Sequence, residues 1–206
     1  MSLVRPFAAP DLDSLYAISL VTGDSGRDAS ALYGDGRLIG HIYSAPYALL
    51  APDLAFVAED DEGVAGYVVG TLDTRAFDRQ LERDWWPALR QQYADPSGSP
   101  EGWTADQQRS FAIHHPPVTP DSIVGPFPAH MHMNLLPRLQ GQGFGTKLFN
   151  AWLERAREQG ATGVHVGVSP TNARGMSFWQ AMGFVHAPVP GSKAIWLGQP
   201  ISPVGR

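Results

Sequence analysis

Hydrophobic and polar residues alternate along the first part of the chain in patterns that predict both strands and helices. The apolar run LVRPF is strand-like, and residues 11–22 after it place apolar side chains on one helical face. Two β-rich runs, LAFVAED and VAGYVVGTLD, are separated by an acidic turn that ends in glycine, which predicts an antiparallel hairpin. Residues 23–53 are rich in Gly, Asp and Ser and predict one or two helices surrounded by loops.

The middle of the chain combines an aromatic periodic segment with a proline-rich one. Large apolar residues recur at every fourth position from Phe77 to Tyr93, which predicts one amphipathic helix over that range. Residues 94–128 are rich in Pro, Gly and Ser, and we expect this insertion to be a loop without regular structure. Long loops in compact domains are usually functional or disordered, so the insertion is also a candidate functional segment.

The second half of the chain alternates between strand and helix patterns. A strand is predicted in FPAHMHMNLL, followed by a helix over residues 143–160 that ends at a glycine. A second strand, GVHVGVS, is followed by a helix over residues 172–182 that again ends at a glycine. The alternation predicts a mixed α/β fold, and we expect residues 1–206 to form a single domain.

Composition and charge exclude several classes of function. The 206 residues are 43% hydrophobic and 17% charged, a balance typical of a globular protein. The net charge is −5 with scattered Lys and Arg, so nucleic acid is not an expected partner. There is neither an apolar run of about 20 residues nor a secretory leader pattern, and we therefore expect no membrane association and a cytoplasmic location. The chain has no cysteine, which removes disulfides, thiolate metal sites and a thiol nucleophile.

Three glycines at alternate positions, Gly141, Gly143 and Gly145, lie immediately before and at the start of the helix predicted over 143–160. The order of Thr146 and Lys147 is reversed relative to a P-loop, and the glycine spacing differs from the dinucleotide-binding fingerprint. A helix that begins in bare backbone still offers free N–H groups and a positive dipole end, which favour an anion such as a diphosphate. The alternative is that the glycines only form a tight turn between strand and helix.

Two motifs in this half resemble those of a known family. Residues 140–145, QGQGFG, resemble the [RQ]-x-x-G-x-[GA] acetyl-CoA loop of the GNAT N-acetyltransferase superfamily. Residues 172–184 are similar to the N-x-x-A-x-x-x-Y-x-x-x-G-F signature of the same superfamily, with Asn172, Phe178 and the final Gly-Phe pair in place. Within the superfamily, the chain most resembles the acetyltransferase-like C-terminal domain of O-GlcNAc hydrolases and its free-standing bacterial relatives.

The resemblance implies a fold, a cofactor and a set of cofactor-binding residues. The implied fold is a mostly antiparallel mixed sheet, splayed in the middle, with helices on both faces. The implied co-substrate is acetyl-CoA, whose diphosphate would bind backbone amides of the loop, while its pantetheine arm would pair with the preceding strand. The residues implied in cofactor binding are Leu135, Leu136, Gln140, Gly141, Gln142, Gly143, Phe144, Gly145, Thr146, Asn172 and Trp179.

The chemistry implied is direct attack of an acceptor amine on the thioester, which calls for a base and an acid. Trp179 occupies the position where many family members carry a tyrosine that protonates the departing thiolate, and an indole is a very poor acid. His130 and His132 lie two positions apart on a predicted strand, so both project from one face and are candidate bases. Asp73 ends the strand of the hairpin and is a third catalytic candidate, with helix capping as the alternative.

Several alternatives remain open from the sequence. The first function is an acetyl-CoA-dependent N-acetyltransferase that acts on an amine of a small molecule or peptide, and the second is a non-catalytic acetyl-CoA-binding or interaction module. No metal is expected, although His130 and His132 could in principle join His114 and His115. The acceptor is not identified, and a monomer and a homodimer are equally compatible with the sequence. The aromatic residues that could line an acceptor pocket are Tyr43, Tyr47, Trp85, Trp86 and Trp103.

Overall fold

The β-rich runs of the sequence form one seven-stranded sheet in the computed structural model, which describes residues 3–202. The strands are β1 (Leu3–Pro6), β2 (Ala55–Asp60), β3 (Gly63–Thr71), β4 (Ala129–Leu135), β5 (Gly163–Val168), β6 (Val185–His186) and β7 (Ile195–Pro200). Their order in the sheet is β1-β2-β3-β4-β5-β7-β6, and all neighbours are antiparallel except β4 and β5. The predicted hairpin is the β2–β3 pair, and the mixed α/β fold is confirmed.

Helices cover both faces of the sheet because its central strands are apolar on both sides. The helices are α1 (Leu12–Val21), α2 (Leu38–Tyr43), α3 (Ala45–Leu50), α4 (Thr74–Asp84), α5 (Trp86–Gln92), α6 (Ala105–His114), α7 (Asp121–Val124), α8 (Phe144–Glu158) and α9 (Ala173–Ala181). One core packs α8 and α9 against Val68 of β3, and the other packs α1 to α6 against Tyr67 and Val69 of the same strand. The fully buried Trp152 of α8 is the largest side chain at the centre of the first core.

The prediction of one continuous helix over 77–93 is wrong, because the segment forms two helices. α4 ends at Asp84, and α5 starts at Trp86 with Pro87 in its first turn. Proline has no N–H to donate to the carbonyl four residues earlier and its ring clashes there, so one continuous helix cannot pass through Pro87. The apolar side chains at this spacing still face the second core, as an amphipathic segment requires.

The insertion predicted as an irregular loop, 94–128, contains regular structure. Helix α6 starts after Thr104, whose hydroxyl accepts from the N–H of Gln107 while the Gln107 side chain accepts from the N–H of Thr104. This capping box satisfies two amide groups that would otherwise lack partners. Ile113, on the inner side of α6, is fully buried in the second core. The prolines therefore flank a helix that belongs to the domain.

Strands β4 and β5 separate shortly after they start, and their separation opens the sheet. They pair only at Ala129 with Val164 and at His130 with His165. Beyond these pairs β4 continues to Leu135 beside β3, while β5 continues beside β7. The splayed centre implied by the resemblance is therefore a fork between β4 and β5, and its open end is where the chain leaves both strands.

Candidate active site

A cavity of about 650 Å³ lies beside the end of β4, beyond the point where β4 stops pairing with β5. This volume is within the range of about 300–1,000 Å³ that small-molecule sites have. The cavity is bounded by the end of β4, the loop into α8, the first turn of α9 and the segment after α1. Its lining residues are Thr22, Ser25, Gly26, Arg27, Met133, Asn134, Leu135, Leu139, Gln140, Gly141, Gly143, Gly145, Thr146, Thr171, Asn172, Ala173, Arg174, Gly175, Phe178 and Trp179.

The glycine loop, residues 140–146, presents its backbone to this cavity. Gly141 and Gly143 have φ values of 74° and 79°, which only glycine adopts readily, and a Cβ at either position would meet no atom within 4 Å. The amides from Gly141 to Thr146 have no acceptor with hydrogen-bond geometry among residues 3–202. These N–H groups point out from the positive end of α8, so the loop is suited to bind an anion.

Gly145 has a different role from the other two glycines. A Cβ there would lie 2.9 Å from the ring of Phe178 in α9, a separation that real Cβ atoms essentially never show. The absence of a side chain at this position therefore lets α8 and α9 approach each other. Gly145 and Phe178 both line the cavity, so this contact forms part of the cavity wall.

Side chains hold the glycine loop in place. Gln140 donates from Nε2 to the carbonyl of Leu135 at 2.7 Å, and its Oε1 accepts from Arg174 of α9. Gln142 donates to the carbonyl of Arg138 at 2.6 Å, and Arg138 is paired with Asp60 of β2. The loop is thus tied to β4, α9 and the β2–β3 hairpin, so its free amides are fixed before any ligand binds.

Sequence reasoning missed the outer wall of the cavity, which the segment after α1 supplies. Ser25 has a φ of 53°, unusual for a residue with a side chain. Its hydroxyl lies 3.1 Å from Ser169 Oγ and 2.8 Å from Thr171 Oγ1, both in the loop that leads into α9. The positive φ of a non-glycine residue cannot be anticipated from the sequence. The hydroxyl contacts close the cavity between two segments about 145 positions apart.

The structure brings most of the proposed cofactor residues together at the cavity. Those that line it are Leu135, Gln140, Gly141, Gly143, Gly145, Thr146, Asn172 and Trp179. Leu136, Gln142 and Phe144 lie outside the lining, and Phe144 is buried in the first core. Asn172 caps α9 by accepting from the N–H of Gly175 at 2.8 Å. Trp179 is 93% buried and packs against Phe149 and Phe184, and it also lines the cavity.

β4 presents two chemically different faces. Met131, Met133 and Leu135 face the first core, whereas His130, His132 and Asn134 face the second. We call His130, His132 and Asn134 the histidine face. Asn134 also lines the cavity and donates to Tyr67 Oη at 2.8 Å, so it marks the point where the cavity meets this face.

Four hydrogen bonds on the histidine face fix the tautomers of both histidines. The Thr74 hydroxyl donates to the carbonyl of Pro128 at 2.7 Å, so it must accept from Nδ1–H of His130 at 2.8 Å. Nε2 of His130 therefore accepts from the hydroxyl of Tyr47 at 2.7 Å. The only proton of that hydroxyl is thereby used, so Tyr47 accepts from Nε2–H of His132 at 3.2 Å. His132 is left with an unprotonated Nδ1 that has no partner among residues 3–202.

Burial keeps these histidines neutral. It lowers the pKa of His132 to about 4, with a further contribution from His165, and it lowers the pKa of His130 well below its usual range. The pKa of Tyr47 is raised, also by burial, so its phenol retains the proton that it donates. A neutral imidazole with a fixed lone pair can accept a hydrogen bond at physiological pH without being protonated.

The third catalytic candidate lies away from the cavity. Asp73 caps α4, accepting from the N–H of Ala76 at 2.9 Å, and its side chain is exposed. Of the candidate aromatic residues, Tyr43 and Tyr47 contact His132, whereas Trp85 donates to the carbonyl of His41 and Trp86 is buried in the second core. Trp103 instead contacts Phe111 near the surface of α6. Within the described range, no three His, Asp or Glu side chains are arranged to hold a metal ion.

Comparison with known proteins identifies the family. The model of the acetyltransferase (GNAT) family matches residues 41–184, which include β4, the glycine loop and α9. The chain belongs to the GNAT acetyltransferase family. The GNAT fold is also that of the crystal structure of SsHAT, which is 32% identical, with a TM-score of 0.89 and 98% of each chain covered.

Two further proteins widen the comparison. Rat protein O-GlcNAcase is 25% identical over 185 residues. The match covers 87% of this chain, which spans 20% of the length of the rat protein. The structure of YncA of Salmonella typhimurium was solved with its cofactor acetyl-CoA. YncA is 13% identical to this chain with a TM-score of 0.54, and the match covers 98% of this chain and 94% of the YncA chain. The similarity to YncA shows the shared fold alone.

The cavity of this GNAT protein contains little titratable chemistry. Its lining has no carboxylate, imidazole, phenol or ammonium group, and the only charged residues on it are Arg27 and Arg174. Both are exposed; Arg174 donates to Gln140 of the glycine loop, whereas Arg27 is paired with Asp24. The cavity is therefore equipped to bind an anion, while His132, with its unprotonated Nδ1, lies on the adjoining histidine face. No helix within residues 3–202 has the length and apolarity needed to cross a bilayer.

Proposed function

We propose that this protein is an acetyl-CoA-dependent N-acetyltransferase that acts on an amine of a small molecule or peptide. The observation that carries the proposal is the row of unpaired amides from Gly141 to Thr146, held rigidly at one end of the cavity beside the end of β4. Backbone amides at a helix start suit a diphosphate, and Arg174, which donates to Gln140 of the loop, adds positive charge beside them.

The open edge of β4 would bind the pantetheine arm. The N–H of Leu136 donates to Ala65 of β3 at 2.7 Å, and main-chain groups of alternate residues point to opposite sides of a strand. The main-chain groups of Met133 and Leu135 therefore point toward the fork, where β5 no longer pairs with β4. An extended amide-containing chain in the fork would bond the main-chain groups of Met133 and the N–H of Leu135, as an additional strand does, whereas the carbonyl of Leu135 already accepts from Gln140.

The reaction would occur where the fork meets the histidine face. The amine nitrogen forms a bond to the acetyl carbon, the carbon–sulfur bond breaks, the amine loses a proton and CoA leaves as thiol or thiolate. His132 lies two residues before Asn134 on the same face of β4, which is about 7 Å along the strand, and its Nδ1 has no partner among residues 3–202. It can accept a hydrogen bond from the attacking amine and align the amine's lone pair. With its pKa of about 4, His132 orients the amine and does not retain the released proton.

A non-catalytic acetyl-CoA-binding module is the second candidate. The specific observation in its favour is that the cavity wall carries no acidic group at the usual tyrosine position, because Trp179 there is packed into the first core. An enzyme of this construction would release CoA without protein-derived acid catalysis. A thiolate is a tolerable leaving group near neutral pH, so the absence of an acid slows the reaction and does not prevent it.

Two measurements separate these candidates. Acetyl-CoA should raise the melting temperature of the purified protein, because a ligand that binds only the folded state stabilises it. A broad panel of amines should then release CoA in a thiol-detection assay. Absence of thermal stabilisation would contradict both candidates, whereas stabilisation without CoA release from any amine would favour the binding module.

A further inference from the structure

Helix α6 places an arginine beside the histidine face without a carboxylate to neutralise it. Nε of Arg109 donates to Tyr33 Oη at 3.0 Å, and Nη1 donates to Tyr43 Oη at 3.2 Å. Its guanidinium carbon also lies 5.4 Å from the centroid of the Tyr43 ring. We call Arg109, Tyr33 and Tyr43 the arginine cluster. All three side chains are half-buried, and within residues 3–202 no acidic group forms an ion pair with Arg109.

The arginine cluster offers hydrogen-bond donors without a matching acceptor. Both phenol oxygens accept from the guanidinium, so the protons of both hydroxyl groups remain free to be donated. Nη2 of Arg109 also has no partner in the described part of the chain. The nearest carboxylate on the same helix, Asp106, instead accepts from the backbone N–H groups of Gly34 and Asp35. A partly desolvated cation surrounded by free donors is costly unless an anion completes it.

The cluster adjoins the amine site through Tyr43. The centroid of the Tyr43 ring lies 5.4 Å from the centroid of the His132 ring. It also lies 5.4 Å from the guanidinium carbon of Arg109. The row from Asn134 through His132 and Tyr43 to Arg109 therefore leads from the cavity to α6. An acceptor with its amine at His132 would extend past Tyr43 toward the guanidinium.

We infer that the arginine cluster binds a carboxylate of the acceptor, which is an amine with a carboxylate separated from it by a short linker. The inference rests on the proposed acetyl transfer for the role of the amine, whereas the anion site itself stands on the arginine cluster. Guanidinium and phenol donors match a carboxylate well, since a fork of N–H groups can hold both of its oxygens. The proline-rich insertion would then contribute acceptor specificity through α6.

Calorimetric titration of the protein without CoA tests the inference. The probes are 4-aminobutyrate and 6-aminohexanoate, compared with butylamine and hexylamine, which lack the carboxylate. We expect at least one amino acid to bind at least tenfold more tightly than its matched amine. Equal or weaker binding of both amino acids by the wild-type protein would overturn the inference, whatever the result with acetyl-CoA. Thermal stabilisation by acetyl-CoA, measured separately, reports on the proposed function alone.

Variants locate the effect on Arg109. R109Q should abolish the advantage of the carboxylate, whereas R90Q should leave it unchanged. Arg90 is a matched control because it also contacts α6, through the carbonyl of Ile113, but is already paired with Glu82. A carboxylate advantage that persists in R109Q would overturn the assignment. If R109Q does not fold, Y43F removes one free donor and one guanidinium contact, and it should reduce the advantage at least threefold.

Discussion

The glycine loop and the histidine face adjoin the same fork but are built from different chemical groups. The glycine loop uses backbone amides of consecutive residues, fixed by two positive φ values and by the side chains of Gln140 and Gln142. The histidine face uses side chains whose orientation depends on Thr74 and Tyr47, from separate helices. A site built from the backbone depends mainly on main-chain conformation. A site built from side chains depends on the identity of each side chain.

The largest expected effect comes from changing the conformation of the glycine loop. Gly143→Val places a β-branched residue at φ 79°, which should force the loop out of its shape and reduce acetyl-CoA affinity at least 100-fold. Gly160→Val is the matched control, because Gly160 has a φ of 83°, equally open surroundings and a place after the other end of α8. Calorimetric titration with acetyl-CoA should show loss only in the first variant. Equal loss in both variants would indicate damage to α8 and not to a binding loop.

The next effect should come from a side chain that leaves the backbone intact. Tyr47→Phe removes the hydroxyl that joins His130 to His132, so the tautomer of His132 is no longer fixed. We expect the rate of acetyl transfer to fall about 10- to 100-fold with unchanged acetyl-CoA affinity. The imidazole nitrogen shifts of His132, measured by NMR, should move from one tautomer to a mixture.

Tyr16→Phe controls for the loss of a buried tyrosine hydroxyl. Tyr16 is also buried and bonds a histidine, His41 Nδ1 at 2.9 Å, but it lies outside the histidine face. Its variant should keep the transfer rate and the His132 tautomer. A fixed His132 tautomer in Tyr47→Phe would show that the four hydrogen bonds do not set it.

A smaller effect is expected where backbone packing and binding overlap. Gly145→Ala places a methyl group 2.9 Å from Phe178, which should destabilise the fold by about 1–3 kcal/mol, partly offset by the better helix propensity of alanine. Gly102→Ala has open space around its Cβ and should be nearly neutral. Urea denaturation measures both variants. Unchanged stability of Gly145→Ala would mean that α8 and α9 can separate without cost.

The last prediction concerns the pH dependence of stability. Burial lowers the pKa of His41, His130, His132 and His165, so the folded state binds fewer protons than the unfolded state below pH 6.5. Stability should therefore fall as the pH decreases from about 6.5 toward 4, the pKa of His132. His132→Asn should reduce this slope in denaturation curves measured across the range. A stability that stays constant from pH 7 to pH 5 would contradict the neutral state of the buried histidines.

The sequence predicts the two regions unequally, and the reason is physical. The amides of the glycine loop are local in sequence, and glycine marks the backbone that must be bare, so residues 140–146 could be recognised without coordinates. The strand parity of His130 and His132 was also predictable. The partner of each ring nitrogen was not, because Tyr47 and Thr74 lie more than 50 positions away.

Two of the elements that were predicted wrongly or missed had a local signal in the sequence, and the third did not. The break between α4 and α5 at Trp85 could have been predicted from Pro87, but the regular apolar spacing favoured one helix. Helix α6 depends on the Thr104 capping box and on burial of Ile113, and the surrounding prolines obscured both signals. The outer wall at Ser25 depends on contacts with Ser169 and Thr171, which no local pattern indicates.

The alternation of β4 has a consequence for which misfolded forms can exist. A shift of one residue in the pairing of β3 with β4 would turn His130, His132 and Asn134 into the core around Trp152 and place the methionines against the second core. Such a form would bury three polar side chains without their partners and would be strongly disfavoured. The free-energy cost of the shifted register therefore selects the native pairing of β4. A molecule that folds has its histidines on the native side of the sheet.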